Sequence, residues 1–248
     1  MKWRVIPLEA HDAFYNMAAD EAICDAVASG ESPPTIRFYT WKPGAVSIGH
    51  FQSMKDEVDI EACRRLGIDY VRRKTGGGAV YHDEKGEITY SIIAPESLFP
   101  KGIIESYMVI CGYIVGGLAN LGIKSEFAPI NDILVNGKKI SGNAQTRRNG
   151  MLLQHGTILY DLDVERMFSL LKVSNEKISD KMISSVKERV TRVLDYKEVT
   201  QEQLYEALLK GFTLDKEWDF GKISDDEWVA TDLLSNIVYK TDDWNFMR

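Results

Sequence analysis

A run of three consecutive glycines follows a cluster of cationic side chains. The segment reads Arg72-Arg73-Lys74-Thr75 and continues as Gly76-Gly77-Gly78. Glycine removes side chains from a loop and permits positive φ, so that successive backbone N–H groups can point at one anion. No Gly-Lys-Ser/Thr follows and the GxGxxG spacing is missing, which excludes a P-loop and a dinucleotide fingerprint. The loop predicts an anion or nucleotide site; the alternative is a flexible connection beside a solvated basic patch.

A lysine pair on a predicted strand, Lys138-Lys139, is the second candidate. Side chains alternate along a strand, so Lys139 shares a face with a polar set. That set is Ser141, Asn143 and Gln145. If Asn149-Gly150 closes a two-residue hairpin, Ala144 lies opposite His155 and Lys139 faces away from His155, unless a bulge interrupts the ladder. We expect Lys139 to face a ligand cavity and Lys138 to face solvent; the alternative is an exposed lysine pair on an edge strand.

The other residues that could do chemistry form weaker patterns. Asp132 could hold Mg²⁺ together with substrate phosphates, although a turn ahead of a strand also explains Asn131-Asp132. The three cysteines, Cys24, Cys63 and Cys111, are far apart, with no CxxC pair. The histidines show no metal-ligand spacing, and no GxSxG motif supports Ser/His/Asp hydrolysis. These patterns leave the loop and Lys139 as the main candidates.

Composition excludes several classes of function. The net charge is −7, which argues against binding to nucleic acid or to an anionic membrane. Met1-Lys2-Trp3-Arg4 begins no apolar signal segment, so we expect a cytoplasmic protein. The most apolar run, Tyr107 to Ala119, is shorter than the roughly 20 residues that span a bilayer, and predicts a buried helix instead.

Hydrophobic periodicity predicts one α/β domain over residues 1–248, with a mixed sheet and a mostly helical C-terminal third. Helices are expected at Phe14–Ala28, Val58–Leu66, Ile103–Leu121, Val164–Leu171, 176–186, Gln201–Phe212 and Asp225–Tyr239. Strands are expected at Thr35–Trp41, Ala45–Ile48, Tyr70–Arg73, Ala79–Tyr81, Ile88–Ala94, Asp132–Val135, Lys138–Thr146 and Leu152–Tyr160. The first two strands should form a hairpin around Lys42-Pro43-Gly44, and Asn136-Gly137 and Asn149-Gly150 should close two more.

These segments together resemble the lipoate–protein ligase family. The resemblance rests on the stretch from Arg72 to Asp83, on Asn131-Asp132, on Lys139-Ile140-Ser141-Gly142 and on His155-Gly156-Thr157-Ile158-Leu159. It implies the α/β fold shared by biotin and lipoate ligases, in which a mixed sheet is flanked by helices. It also implies activation of lipoate by ATP and Mg²⁺ to lipoyl-AMP, followed by transfer to a lysine of a lipoyl carrier domain.

The resemblance also implies roles for individual residues. Lys139 would be the catalytic residue, in contact with both the carboxylate and the α-phosphate. The nucleotide or adenylate would contact Lys139, Arg73, Gly78, Ala79, Val80 and Tyr81. Lipoate would contact Lys139, Gly76, Gly77, Arg72 and His155. Asp132 would hold Mg²⁺ with the phosphates. A fixed ammonium suits this chemistry, because a carboxylate attacking a phosphate brings two anions together.

Two alternatives remain. An octanoyltransferase of the same fold passes an acyl group from a carrier thioester through a cysteine, yet Lys124 to Asn131, where that cysteine is expected, reads KSEFAPIN. A non-catalytic lipoate- or adenylate-binding module is the other. The resemblance also implies an accessory domain after Trp244-Asn245-Phe246, where only Met247 and Arg248 follow. We therefore expect a separate small protein to supply that domain and to assist adenylate formation.

Overall fold

The computed structural model describes residues 1–172 and 188–248, so the predicted helix at 176–186 lies outside the described part. The strands are β1 (Trp3–His11), β2 (Thr35–Trp41), β3 (Ala45–Ile48), β4 (Asp69–Arg72), β5 (Val80–His82), β6 (Glu87–Pro95), β7 (Glu126–Ala128), β8 (Asp132–Val135), β9 (Lys138–Arg148), β10 (Met151–Leu159) and β11 (Trp218–Phe220). The helices are α1 (Ala13–Ser29), α2 (Met54–Glu57), α3 (Ile60–Leu66), α4 (Ile103–Asn120), α5 (Val164–Leu170), α6 (Gln201–Thr213), α7 (Asp225–Leu234) and α8 (Asp242–Asn245). Ser235–Tyr239 forms a π-helical turn after α7.

Eight strands form the main sheet in the order β11-β1-β2-β6-β10-β9-β8-β7. β1 runs parallel to β2 and β11, whereas the pairs from β2 to β7 are antiparallel. With helices on both faces, this mixed sheet confirms the predicted α/β class. β1 was not predicted, and its pairing with β2 is irregular between Ile6 and Glu9, around Pro7. Proline has no N–H to donate to a ladder, which explains why this strand does not alternate regularly.

A second sheet, ordered β4-β3-β5, packs against one face of the first. The predicted hairpin of β2 and β3 is wrong. β2 lies between β1 and β6 in the main sheet, whereas β3 pairs with β4 and β5. Both strands are buried along their whole length, and each makes its backbone hydrogen bonds within its own sheet. The segment from Lys42 to Gly44 connects the two sheets.

Helices cover the two faces of the main sheet. α1 begins at Asp12, whose side chain accepts from Tyr15 N, and ends at Gly30 in the left-handed conformation. It lies on the same face as the small sheet. On the opposite face, α4 and α6 pack against the core residues of β2, β6 and β10.

α4 is the predicted buried helix. Its 18 residues are long and apolar enough to satisfy the length and composition criteria for a membrane span. One side of the helix is buried, through residues that include Ile110, Ile114 and Leu118, while Ile103 and Met108 on the other side are more than half exposed. The buried side contacts α6 and the main sheet, as in an amphipathic core helix.

Two tight hairpins at the edge of the sheet confirm the turn predictions. Asn136-Gly137 joins β8 to β9 and Asn149-Gly150 joins β9 to β10, with positive φ at all four residues. In the second hairpin, Ala144 pairs with His155, as predicted. In the first hairpin the register shifts by one residue: Ser141 pairs with Ile133, but Lys139 pairs with Leu134. Ile140 is therefore an extra residue in β9, that is, a β-bulge.

Candidate functional site

A cavity of about 300 Å³ lies between the main sheet and the small sheet, and we call it the Lys139 cavity. Ligand sites begin at about this size and combine apolar walls with a few convergent polar groups. Its apolar walls are formed by Met17, Tyr39, Trp41, Ala79, Val80, Tyr81, Ala144, Leu159, Leu162, Met167, Leu171 and Val190. Its polar lining is formed by Ser47, Arg73, His82, Thr89, Asn131, Lys139, Asn143, His155 and Thr157, together with Gly77, Gly78, Gly142 and Gly156.

The cavity brings the glycine loop and the lysine strand together. Of the residues predicted for the site, Arg73, Gly77, Gly78, Ala79, Val80, Tyr81, Lys139 and His155 all line it. Gly76 faces an adjacent groove of about 710 Å³, which also contains Glu21 and Lys74. Met17 and His155 contribute to both spaces, so these residues form part of the wall between them.

Lys139 reaches the cavity because of the bulge at Ile140. Ile140 and Ser141 are both fully buried in the direction of α4, and the extra residue turns Lys139 to the other face of the sheet. The Lys139 side chain lies over Gly142, on the face that also carries His155. The prediction that Lys139 shares a face with Ser141 and turns away from His155 is therefore wrong, because it assumed a regular ladder.

The Lys139 ammonium has a carboxylate partner. Its Nζ lies 2.7 Å from Asp132 Oδ1, and the side chains of the two residues are 40% and 33% exposed. Asn131 and Asn143 brace the same corner, since Asn143 Nδ2 donates to the Asn131 carbonyl at 2.9 Å. Asp132 thus orients Lys139.

No group of three or more His, Cys, Asp or Glu side chains suited to a metal occurs in residues 1–172 and 188–248.

Arg73 holds the glycine loop in place. The guanidinium donates to the Gly76 and Gly78 carbonyls at 2.9 and 2.7 Å, and to the Ser47 carbonyl at 3.2 Å. It also donates to two hydroxyls, Ser47 Oγ and Thr75 Oγ1, each at 3.1 Å. Burial lowers the pKa of Arg73 to about 10. The side chain stabilises a folded loop around a buried cation.

Each of these two hydroxyls begins a buried relay that runs through an imidazole to a carboxylate. In the Ser47 relay, Ser47 Oγ lies 2.8 Å from His82 Nε2, and His82 Nδ1 lies 2.7 Å from Glu87 Oε1. The His82 ring also stacks on Trp41, with ring centroids 3.9 Å apart. The sequence shows no Ser/His/Asp motif here, because Ser47 and His82 are 35 residues apart and belong to different strands.

The Thr75 relay connects Thr75, His155 and Asp20. Thr75 Oγ1 lies 2.7 Å from His155 Nε2, and His155 Nδ1 lies 3.3 Å from Asp20 Oδ2. Burial lowers the pKa of His155 despite the nearby carboxylate. Burial alone would raise the pKa of Asp20, but the hydrogen bond from His155 and the charge of Arg37 outweigh burial and lower it. A neutral imidazole beside an ionised Asp20 follows.

Arg72 does not reach the cavity, which corrects its assignment as a lipoate contact. It is fully buried and donates to the carbonyls of Gly49, His50 and Gln52, and to those of Trp244 and Asn245. With its donors engaged by backbone oxygens, Arg72 ties the C-terminal residues to the loop after β3. Its role is therefore structural.

None of the three cysteines lines the Lys139 cavity. Cys111 lies on α4, on the opposite face of the main sheet, and Cys63 is fully buried in the core behind the small sheet. Cys24 lies on α1 and faces the adjacent groove. Burial raises the pKa to about 11 for Cys24 and to about 12 for Cys63 and Cys111. Thiols in such surroundings are weak nucleophiles, since the thiolate is the reactive form.

The fold is that of α/β enzymes that act in lipoylation. A bi-partite lipoate protein ligase from Thermoplasma acidophilum has the same fold, with a TM-score of 0.88, 32% sequence identity and coverage of 99% of this chain and 96% of that one. A lipoate-protein ligase A crystallised with ATP follows, with a TM-score of 0.85, 30% identity and coverage of 99% of both chains. The family model of the lipoyl protein ligase A/B catalytic domain matches residues 12–213, and the chain belongs to this family.

Curated relatives correct the predicted activity. Octanoyltransferase LipM of Brevibacillus brevis is 36% identical, over 100% of this chain and 99% of that protein. The proteins of the same name from Geobacillus kaustophilus and Staphylococcus aureus are 38% and 35% identical, each over 99% of this chain. The prediction of an ATP-dependent lipoate–protein ligase is therefore wrong, and the octanoyltransferase alternative is the better supported one. The ligase prediction also implied ATP, Mg²⁺ and an acyl-adenylate, and these are no longer supported. The same holds for the magnesium role of Asp132.

Proposed function

We propose that this protein transfers an octanoyl-type acyl group from a carrier thioester to a lysine of a lipoyl carrier domain. The observation that carries the proposal is the likeness to octanoyltransferases along the whole chain, at 35–38% identity. The reaction needs no ATP, because the thioester is already activated.

The Lys139 cavity supports this activity chemically. Its apolar walls suit a saturated acyl chain, and Lys139 supplies one fixed cation. When an amine or hydroxyl attacks a thioester, negative charge develops on the carbonyl oxygen. A pre-oriented ammonium stabilises that charge in the transition state, and Asp132 at 2.7 Å restricts where it points. We assign Lys139 this role.

The neighbouring predicted residues then position the acyl group. Arg73 holds the loop that carries Gly76 to Tyr81, and His155 closes one side of the cavity. We propose these residues, with Lys139, as the substrate site. The cytoplasmic location and the separate accessory protein stay predictions.

The test is an ATP-free transfer assay. The chain is mixed with octanoyl-acyl carrier protein and an apo lipoyl domain, and the domain is followed by intact mass. Octanoylation of the domain lysine is the expected result. In a parallel reaction, ATP–pyrophosphate exchange is measured with lipoate. Exchange without carrier-dependent transfer would overturn the proposal.

A further inference from the structure

The proposed acyl transfer raises the question of which group attacks the thioester, and the following inference rests on that proposed function. A two-step transfer needs an enzyme nucleophile beside the acyl carbon. The three cysteines are poor candidates, because none lines the Lys139 cavity and burial raises the pKa of each. A hydroxyl with a general base beside it is another kind of nucleophile that can accept an acyl group.

The neighbouring hydrogen bonds indicate a direction for the Ser47 relay. Arginine only donates, so Ser47 Oγ accepts from Arg73 Nη1 and must direct its own proton elsewhere. Glu87 Oε1 accepts from the Thr89 hydroxyl at 2.8 Å, which leaves Nδ1 of His82 as the donor to the same oxygen. With a single ring proton on Nδ1, His82 Nε2 carries the lone pair and is an acceptor within 2.8 Å of Ser47 Oγ.

This arrangement is that of a base-activated nucleophile. Nucleophile to base is 2.8 Å and base to carboxylate is 2.7 Å, both within the range that such triads require. Stacking on Trp41 holds the imidazole plane. Arg73, 3.1 Å from Ser47 Oγ, adds a positive charge beside the oxygen that would become negative.

The other hydroxyls around the cavity are arranged differently. Within the described residues, Tyr39 and Tyr81 direct their hydroxyls at Asp20 and Asp83, and Thr89 directs its own at Glu87. Thr157 also lines the cavity, but its hydroxyl has no imidazole partner among the described residues. Thr75 has an imidazole partner, but it does not line the cavity. Ser47 therefore combines a place in the cavity wall with a base that can take its proton.

We propose that Ser47 is the acyl-accepting nucleophile of this protein, with His82 as its general base and Glu87 as the group that orients His82. The relay has no assigned role in the transfer described above, which needs only the cavity and Lys139.

The bonds and protons balance over two steps. In the first, Ser47 Oγ bonds to the acyl carbon as the carbon–sulfur bond breaks, and the serine proton passes through His82 to the departing thiolate. In the second, the acceptor lysine amine attacks the resulting ester. The carbon–nitrogen bond forms, the carbon–Oγ bond breaks, and an amine proton returns through His82 to Ser47. Lys139 stabilises the carbonyl oxygen in both steps.

The experiment is a single turnover of the full chain with octanoyl-acyl carrier protein, without an acceptor domain. Intact mass and peptide mapping are expected to find one octanoyl group on Ser47. Neutral hydroxylamine should leave this oxygen ester in place, whereas it would release a cysteine thioester. Adding the apo lipoyl domain should then discharge the enzyme and octanoylate the domain.

Three variants keep the inference open to refutation even if one of them folds poorly. Ser47→Ala should lose the adduct and slow transfer by about 10³-fold or more, as removal of a triad nucleophile does. Ser47→Cys should form an adduct that hydroxylamine releases. Thr75→Val should keep the adduct on Ser47, since Thr75 does not line the cavity.

Transfer to the lipoyl domain that leaves no adduct on the wild-type enzyme, or that persists at the wild-type rate in Ser47→Ala, would overturn the nucleophile assignment alone. An adduct mapped to Thr75 or to a cysteine would overturn it as well. Absence of both adduct and transfer would instead overturn the proposed function. The two failures are therefore distinguishable.

Discussion

The Lys139 side chain occupies the space that a side chain on Gly142 would need. A β-carbon built on Gly142 would lie 2.8 Å from both Cε and Nζ of Lys139. The glycine thus determines where the ammonium sits, and the bulge at Ile140 determines which face of the sheet it reaches. A one-residue irregularity and a missing side chain together place the charge in the cavity.

The first prediction concerns Gly142→Ala. The added methyl group displaces the flexible end of Lys139, so transfer should fall by ~10²-fold, the cost of misplacing a reacting group by about 1 Å. The free energy of unfolding should change by no more than about 1 kcal/mol, because the φ of Gly142 is not positive. Transfer rates and urea unfolding measure the two effects. Gly112→Ala in α4 is the control, since its β-carbon meets nothing within 4 Å. Equal rates for both variants would contradict this account.

The second prediction compares the two adjacent lysines. Lys139→Ala should lower the transfer rate by ~10²–10³, the usual effect of removing one charge-stabilising contact in a transition state. Lys138→Ala should be mild, because Lys138 does not line the cavity. Steady-state rates are compared at equal folded protein, checked by circular dichroism. Equal losses would show that the direction in which each lysine side chain points does not determine its contribution to the transfer rate.

The third prediction is that the cysteines are dispensable. Replacing Cys24, Cys63 and Cys111 together by Ala or Ser should leave acyl transfer near the wild-type rate per folded molecule. Some stability will be lost, because Cys63 and Cys111 are fully buried. A folded Cys111 variant that cannot transfer would restore a thioester mechanism through that residue.

The fourth prediction is a pH dependence of stability far from the cavity. Arg4 on β1 and Glu227 on α7 form a two-pronged ion pair with N–O distances of 2.6 and 2.7 Å. Burial alone would raise the pKa of Glu227, but the hydrogen bond from Arg4 outweighs it, with help from Ser224 and Ser32, and the pKa falls below its ordinary value.

A carboxyl whose pKa is lower in the folded state stabilises the fold above its unfolded pKa, about 4.3 for glutamate. That contribution is lost as the pH falls through the lower, folded value. Glu227→Gln should therefore cost about 1.5–3 kcal/mol at pH 7, the range for a hydrogen bond to a charged group. The difference from wild type should shrink below about pH 4. Urea unfolding at both pH values tests this; a difference that grows in acid would reverse the sign.

Local patterns in the sequence were sufficient for much of the fold. α1 was predicted within one residue at each end, because its apolar residues recur at helical spacing and Gly30 follows its end. The Asn-Gly turns located the two edge hairpins. The predicted loop residues from Gly77 to Tyr81 also lie with Lys139 in one cavity. Turns and caps are encoded by neighbouring residues, so sequence reveals them.

Long-range pairing was not accessible in the same way. No local pattern in β3 or β5 predicts the contact between Ser47 and His82, because the small sheet pairs residues that are 35 positions apart. His155 and Asp20 meet across 135 residues. The bulge at Ile140 has no local signal either, because Lys-Lys-Ile-Ser reads as ordinary alternation. Arg72 and Arg73 are neighbours of the same type, yet Arg72 binds the C-terminal residues Trp244 and Asn245 while Arg73 lines the cavity.

The hydrogen bonds of Arg72 also couple β4 to residues near the C-terminus. Trp244 and Asn245 accept from its guanidinium, Asn245 Oδ1 accepts its backbone N–H at 2.8 Å, and Trp244 Nε1 returns a hydrogen bond to its carbonyl. Residues near a terminus usually fray independently of a core. Here they should exchange amide hydrogens in concert with the strand that precedes the glycine loop, as one cooperative unit. Weakening the hydrogen bonds of Trp244 and Asn245 would then increase the mobility of the substrate site, although neither residue lines it.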